Sequence, residues 1–252
     1  MVRGLGLFRD AFQGFADQYV LIGGTAASLS LGQAGLPFRA TKDLDIVLLV
    51  EALTPAFGAA FWSFVRDGGY QARLSASTGK PCFYRFDKPQ DQRYPAMIEL
   101  FSRVPEALRG LELGHLSPLP LGDDLSSLSA ILLDDSYYAF VIEGRREVDG
   151  LSWVGEDRLI PLKATAWLEL RAARARGEAV DSAVIRKHAN DILRLAQLLS
   201  ADIRVQLSGR ILVDMRRFVA ALAEDPSVQP QALGLQSDIG TTLRRIAVAF
   251  GH

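Results

Sequence analysis

The stretch Tyr19-Val20-Leu21-Ile22-Gly23-Gly24-Thr25 is followed, eighteen residues after Thr25, by Asp43-Leu44-Asp45-Ile46-Val47-Leu48-Leu49-Val50. The first segment is an apolar strand running into two glycines. Glycines at a strand-to-helix turn leave backbone N–H groups free at the helix start, where they can hold a phosphate. In the second segment, aspartates at i and i+2 leave the same face of a strand, roughly 7 Å apart along it. Asp45 stands inside an apolar run, where an unpartnered carboxylate is costly and ligation of a cation relieves the cost. Mg²⁺ takes one or two carboxylates together with substrate phosphates, so the pairing suits a metal-bound nucleoside triphosphate.

A third carboxylate, Glu99, sits in the short apolar strand Met97-Ile98-Glu99-Leu100-Phe101. Metal ligation is one reason for a charge there; an ion pair with an arginine such as Arg85 is the competing one. The turn, the Asp-x-Asp strand and a later carboxylate resemble the polymerase-β-type nucleotidyltransferase superfamily.

Composition sets the frame around these motifs. The 252 residues suffice for one large domain or two modest ones. Hydrophobic residues make up 49% and charged ones 23%, as in folded globular chains. With 28 basic and 29 acidic residues, net charge argues for no polyanionic partner, which only a local patch would attract. A single cysteine, Cys82, excludes an internal disulfide and fits a reducing cytoplasm. Charges interrupt the apolar start of the chain, and runs such as Ile46 to Val50 are too short to span a bilayer. A cytoplasmic protein without a membrane partner is expected.

Along the chain, helix and strand signals alternate: helix Leu5 to Ala16, strand Tyr19–Ile22, helix Thr25–Leu31, strand Leu44–Val50 and helix Thr54–Arg66 closed by Gly68-Gly69. Shorter strands follow at Tyr70–Leu74, Cys82–Asp87 and Met97–Phe101, then an exit at Pro118 and Pro120, a helix from Asp123 to Leu133 and a hairpin around Val148-Asp149-Gly150. From Leu159 the pattern is helical: to Arg176, from Asp181 to Ser200, from Ser208 to Ala223 and from Ser237 to Phe250. The expected fold is an α/β (α+β) unit with a mixed sheet over residues 1–155, followed by an all-α helical bundle over 156–252.

The second half adds Leu159-Ile160-Pro161-Leu162-Lys163-Ala164-Thr165-Ala166-Trp167 and Arg186-Lys187-His188-Ala189-Asn190-Asp191-Ile192-Leu193. These look like the lysine helix and the Lys-x-x-x-Asp-Ile/Leu helix of AbiEii-type nucleotidyltransferases, a family that groups toxin components of bacterial toxin–antitoxin and phage-defence systems. The resemblance implies that Gly23, Gly24 and Thr25 bind the triphosphate. It also implies that Asp43, Asp45 and Glu99 hold Mg²⁺ (or Mn²⁺), Lys163 neutralises phosphate charge and Asp191 completes the site. Its further implications are a nucleoside triphosphate donor, an RNA acceptor at the 3′ end of tRNA and a cognate antitoxin partner.

Each residue also has a plainer reading. Lys163 can snorkel to solvent, and Lys187 with Asp191, at i and i+4, can form a surface ion pair. Arg39 and Lys42, just ahead of Asp43, can meet a triphosphate or lie in a solvated loop. Arg171, Arg174, Arg176, Arg186, Lys187 and Arg194 can form a nucleic-acid footprint or a solvated helix face. His115, His188 and His252 are too scattered for a zinc site. Two other classes stay open: a small-molecule nucleotidyltransferase, with Asp123, Asp124, Asp134 and Asp135 as an acidic acceptor pocket, and a non-catalytic binding module of the same fold.

Overall fold

The computed structural model describes residues 2–73, 82–102, 131–132, 134–207, 209–225 and 227–251. Pro118, Pro120, Asp123, Asp124, His115, His252 and, but for residues 131 and 132, the helix expected from Asp123 lie outside them. The fold is α/β with a mixed sheet. The chain divides into two compact units, the first Met1–Leu29, Arg39–Ser129 and Arg145–Val154, the second Ser30–Phe38, Ala130–Gly144 and Gly155–His252.

Among the described residues, the first unit carries a seven-stranded sheet. Its strands are β1 (Tyr19–Leu21), β2 (Asp43–Leu48), β3 (Gln71–Arg73), β4 (Cys82–Asp87), β5 (Met97–Ser102), β6 (Arg145–Val148) and β7 (Leu151–Val154), in the order β3-β4-β5-β2-β1-β7-β6. The Asp-x-Asp strand β2 is therefore central, parallel to β5 and antiparallel to β1. Its apolar end, Ile46–Leu48, is fully buried, while Asp43 and Asp45 at its start are half-buried. Asp149 and Gly150 both have positive φ (52° and 74°), the two left-handed residues of a type I′ turn, and they close the expected β6–β7 hairpin.

Helix α1 (Leu5–Phe12) packs on α3 (Pro55–Gly68) through rings. Phe8 and Phe12 stack at 4.4 Å, and Phe12 also meets Phe57 and Phe64 at 5.5 and 5.6 Å. This is the plain core packing that phenylalanines at helical spacing predict. Thr54 caps α3 by accepting from the Phe57 N–H, Pro55 takes its first position, and left-handed Gly69 ends it.

The second unit is helical: α4 (Asp135–Glu143), α5 (Glu156–Ala175), α6 (Ser182–Leu195), α7 (Gly209–Ala223) and α8 (Ile239–Phe250). Asp181 and Asp238 cap α6 and α8. Helix α5 is buried on every side from Leu159 to Trp167, which makes it the centre of the bundle, packed by α6 and α7. Two departures from the sequence expectations matter. Helix α4 has no counterpart among the expected elements, and α5 begins three residues earlier than Leu159. Among the described residues, no helix is long and apolar enough to cross a membrane.

Candidate functional site

In the first unit, α2 (Gly23–Gln33) starts directly after β1, and its first residue is left-handed at φ 65°. Only glycine fits there. A Cβ built on Gly23 would lie 1.8 Å from Oδ2 of Asp45, so the carboxylate occupies the space that any side chain would fill. A Cβ on Gly24 would likewise meet Thr41 Oγ1 at 2.6 Å and Arg39 Nη2 at 3.3 Å. The glycine pair thus lets the carboxylate of β2 and the guanidinium of Arg39 approach the start of α2. Thr25 is buried, and its hydroxyl donates to the Asp43 carbonyl at 2.8 Å, tying the helix to the carboxylate strand. Lys42 is exposed.

Asp45 and Glu99 are register partners on the parallel pair β2 and β5. On the other side of β5, Arg85 is the register partner of Glu99. Arg85 donates to Glu99 Oε1 through Nε at 3.0 Å and Nη2 at 2.6 Å. The ion pair that competes with ligation at Glu99 is therefore formed. Among the described residues, no three carboxylate, histidine or cysteine side chains are grouped to hold a metal. The sheet offers a pair of half-buried carboxylates beside a glycine turn, with the third carboxylate held by an arginine.

In the second unit, Lys163 and Asp191 meet although they come from different helices. Lys163 Nζ lies 2.9 Å from Asp191 Oδ2, and the side chains are 2% and 1% exposed. Lys163 therefore does not snorkel to solvent, and Asp191 is buried and not on the surface. His188, one turn before Asp191, is buried as well.

Sequence reasoning missed a second polar cluster in this unit. Arg210 of α7 reaches Asp134 Oδ2 and Glu169 Oε1 at 3.0 Å each and Asp214 Oδ2 at 3.3 Å. Tyr137 of α4 donates to Asp214 Oδ2 at 3.0 Å and shares a hydrogen bond with the Thr165 hydroxyl. Burial, reinforced by the Asp214 charge, raises the Tyr137 phenol well above its ordinary value. Burial also raises Glu169. Asp134 is lowered: burial acts upward, but the bond from Arg210 and the Ser136 and Tyr137 N–H groups outweigh it. Asp134 is thus the N-cap of α4 and a partner of Arg210. The available signal was an aspartate ahead of the apolar run Tyr137-Tyr138-Ala139-Phe140-Val141. One side of the cluster borders a cavity of about 670 Å³ walled by Leu168, Ala172 and Ala221.

The six basic residues of the expected footprint are not a uniform stripe. Arg171 pairs with Asp225 at 2.5 Å and lies over the Trp167 ring at 4.3 Å, and Arg176 pairs with Glu178. Two of the cations are thereby neutralised locally.

Compared with known proteins, the chain matches no family model, no curated protein and no solved structure at a significant level.

Proposed function

We propose that this chain is a Mg²⁺-dependent nucleotidyltransferase that moves a nucleoside monophosphate from a triphosphate to an acceptor hydroxyl. The acceptor is RNA, at the tRNA 3′ end, and the setting is a toxin held in check by an antitoxin, as the resemblance implies. The observation that carries the proposal is the approach of Gly23 to Asp45, which puts a helix start and an Asp-x-Asp strand against each other.

The donor set fits the metal. Asp43 and Asp45 supply hard oxygens, half-exposed, and the phosphate oxygens would complete the shell. Bound there, Mg²⁺ would neutralise triphosphate charge and polarise the α-phosphorus. The N–H groups at the start of α2 would take non-bridging phosphate oxygens. Arg39, against the Gly24 backbone, would add a fixed cation. The acceptor oxygen forms a bond to the α-phosphorus, the bond to the β-phosphate breaks, and pyrophosphate leaves while the hydroxyl proton passes to a carboxylate or to water. With Oε1 of Glu99 bonded to Arg85, the metal depends chiefly on the two aspartates. In the second unit, Lys163 donates to Asp191 with both side chains buried, and it is given no part in this step.

One observation favours transfer to a small molecule instead. The cavity in the second unit has a drug-sized volume and apolar walls, and in its lining the carboxylates of Glu169 and Asp214 stand beside Arg210 and Arg217. The test is to incubate the purified chain with each radiolabelled triphosphate, Mg²⁺ and either total RNA or a small-molecule extract. Label in RNA that disappears with Asp45→Asn supports the RNA reading, and label in the extract alone supports the second one. Label in neither makes the chain a binding module.

A further inference from the structure

A groove of about 330 Å³ lies in the second unit between the end of α5 and the start of α6. Three arginines line it: Arg171 and Arg174 from α5 and Arg186 from α6. They are not equivalent. Arg171 is neutralised by Asp225, whose other oxygen accepts from the Ser227 N–H and hydroxyl, and its guanidinium lies over Trp167. The Asp225 carboxyl is held below its ordinary value: burial acts upward, but the Ser227 and Arg171 bonds outweigh it. Arg186 donates to the Ser182 hydroxyl, which carries no charge. Among the described residues, neither Arg174 nor Arg186 has a carboxylate partner, so two guanidinium groups from two helices line one concave space beside a fixed third.

We propose that this groove binds one phosphoryl group of a small phosphorylated molecule, with Arg174 and Arg186 as the forks that grip it and Arg171 as a rigid wall. Arginine presents paired N–H donors that match a phosphate edge, and two of them balance a dianion. The size and charge favour a single group over a nucleic-acid track. The groove is short, and the adjoining cations that would extend it, Arg171 and Arg176, are occupied by Asp225 and Glu178. This site is independent of the proposed transferase chemistry, because its residues include none of those assigned to the triphosphate or the metal.

Calorimetry with phenyl phosphate in EDTA tests it, since chelation disables any Mg²⁺-dependent triphosphate site. One ligand per chain is expected. Arg174→Gln and Arg186→Gln should each weaken it about tenfold, Arg174→Lys less, and Asp45→Asn not at all. Thermal melts of these exposed-site variants should match the parent. Absence of binding at millimolar phenyl phosphate, or arginine variants that bind as the parent does, overturns the proposal. A short single-stranded RNA is the second arm. If the groove contributes to RNA binding with a salt slope well beyond about 1.4, the value for two phosphate contacts on a single strand, the groove is part of an RNA track and the single-group proposal fails.

Discussion

Lys163 and Asp191, 28 residues apart, meet as an ion pair in the middle of the helical unit, each almost wholly withdrawn from solvent. Removing one partner strands a buried charge, so Asp191→Ala should destabilise the chain by about 3–5 kcal/mol. The double variant Lys163→Met with Asp191→Leu should lose less than the single one. Urea unfolding measures both, and a double variant as unstable as Asp191→Ala would show that the pair is worth more than apolar packing.

Gly23→Ala should be harmful for two separable reasons. Its positive φ costs about 1–2 kcal/mol for a residue with a Cβ, and the added methyl meets the Asp45 carboxylate. Asp45→Ala relieves only the second. A double-mutant cycle on unfolding free energy should therefore be non-additive, with Gly23→Ala costing less in the Asp45→Ala background. Strict additivity would mean that the two groups do not touch.

Under the proposed function, Asp45→Asn should cut transfer by roughly 10³-fold or more, because a charge that holds the metal is lost. Glu99→Gln, at a carboxylate already bonded to Arg85, should reduce it far less. Mg²⁺ should bind weakly to the bare protein and clearly in the presence of triphosphate, as calorimetry will read. Equal losses from the two substitutions would put Glu99 among the metal ligands.

Stability should fall in acid. Asp134 and Asp225 titrate below their ordinary value near 3.8, so the stability they contribute is complete above that value and is lost as pH falls through their folded-state values. Glu169, raised by burial, acts oppositely: ionising it costs the folded chain more than the unfolded one, so its effect appears as pH rises through its titration. Glu169→Gln should thus remove a fall in stability as pH rises above the ordinary glutamate range, without removing the acid limb. Urea midpoints from pH 3 to 7 decide it.

Most of the element order was legible because periodicity and punctuation agreed: Thr54-Pro55 opened one helix, Asp181 another, and Asp149-Gly150 closed the hairpin. Helix α4 was not, since Asp134 and Asp135 fit an acidic pocket as well as a helix start, and Asp134 is a cap. Of the candidate site, Asp43 and Asp45 could be placed on one face from spacing alone. The fate of Glu99 could not, because which strand lies on its far side is a matter of sheet order, and that order puts Arg85 there. Nor does spacing bring Lys163 to Asp191, which depends on how α5 and α6 pack.

The sheet ends on one side in β6, whose residues are Arg145, Arg146, Glu147 and Val148. Among the described residues no strand pairs beyond β6, and a strand from another molecule docking there would have to settle against two guanidinium groups and a carboxylate. Such a border discourages template-driven stacking of chains into fibres. Along this margin, then, charge works against growth by strand addition, a safeguard that the closely packed, phenylalanine-rich interior does not itself provide.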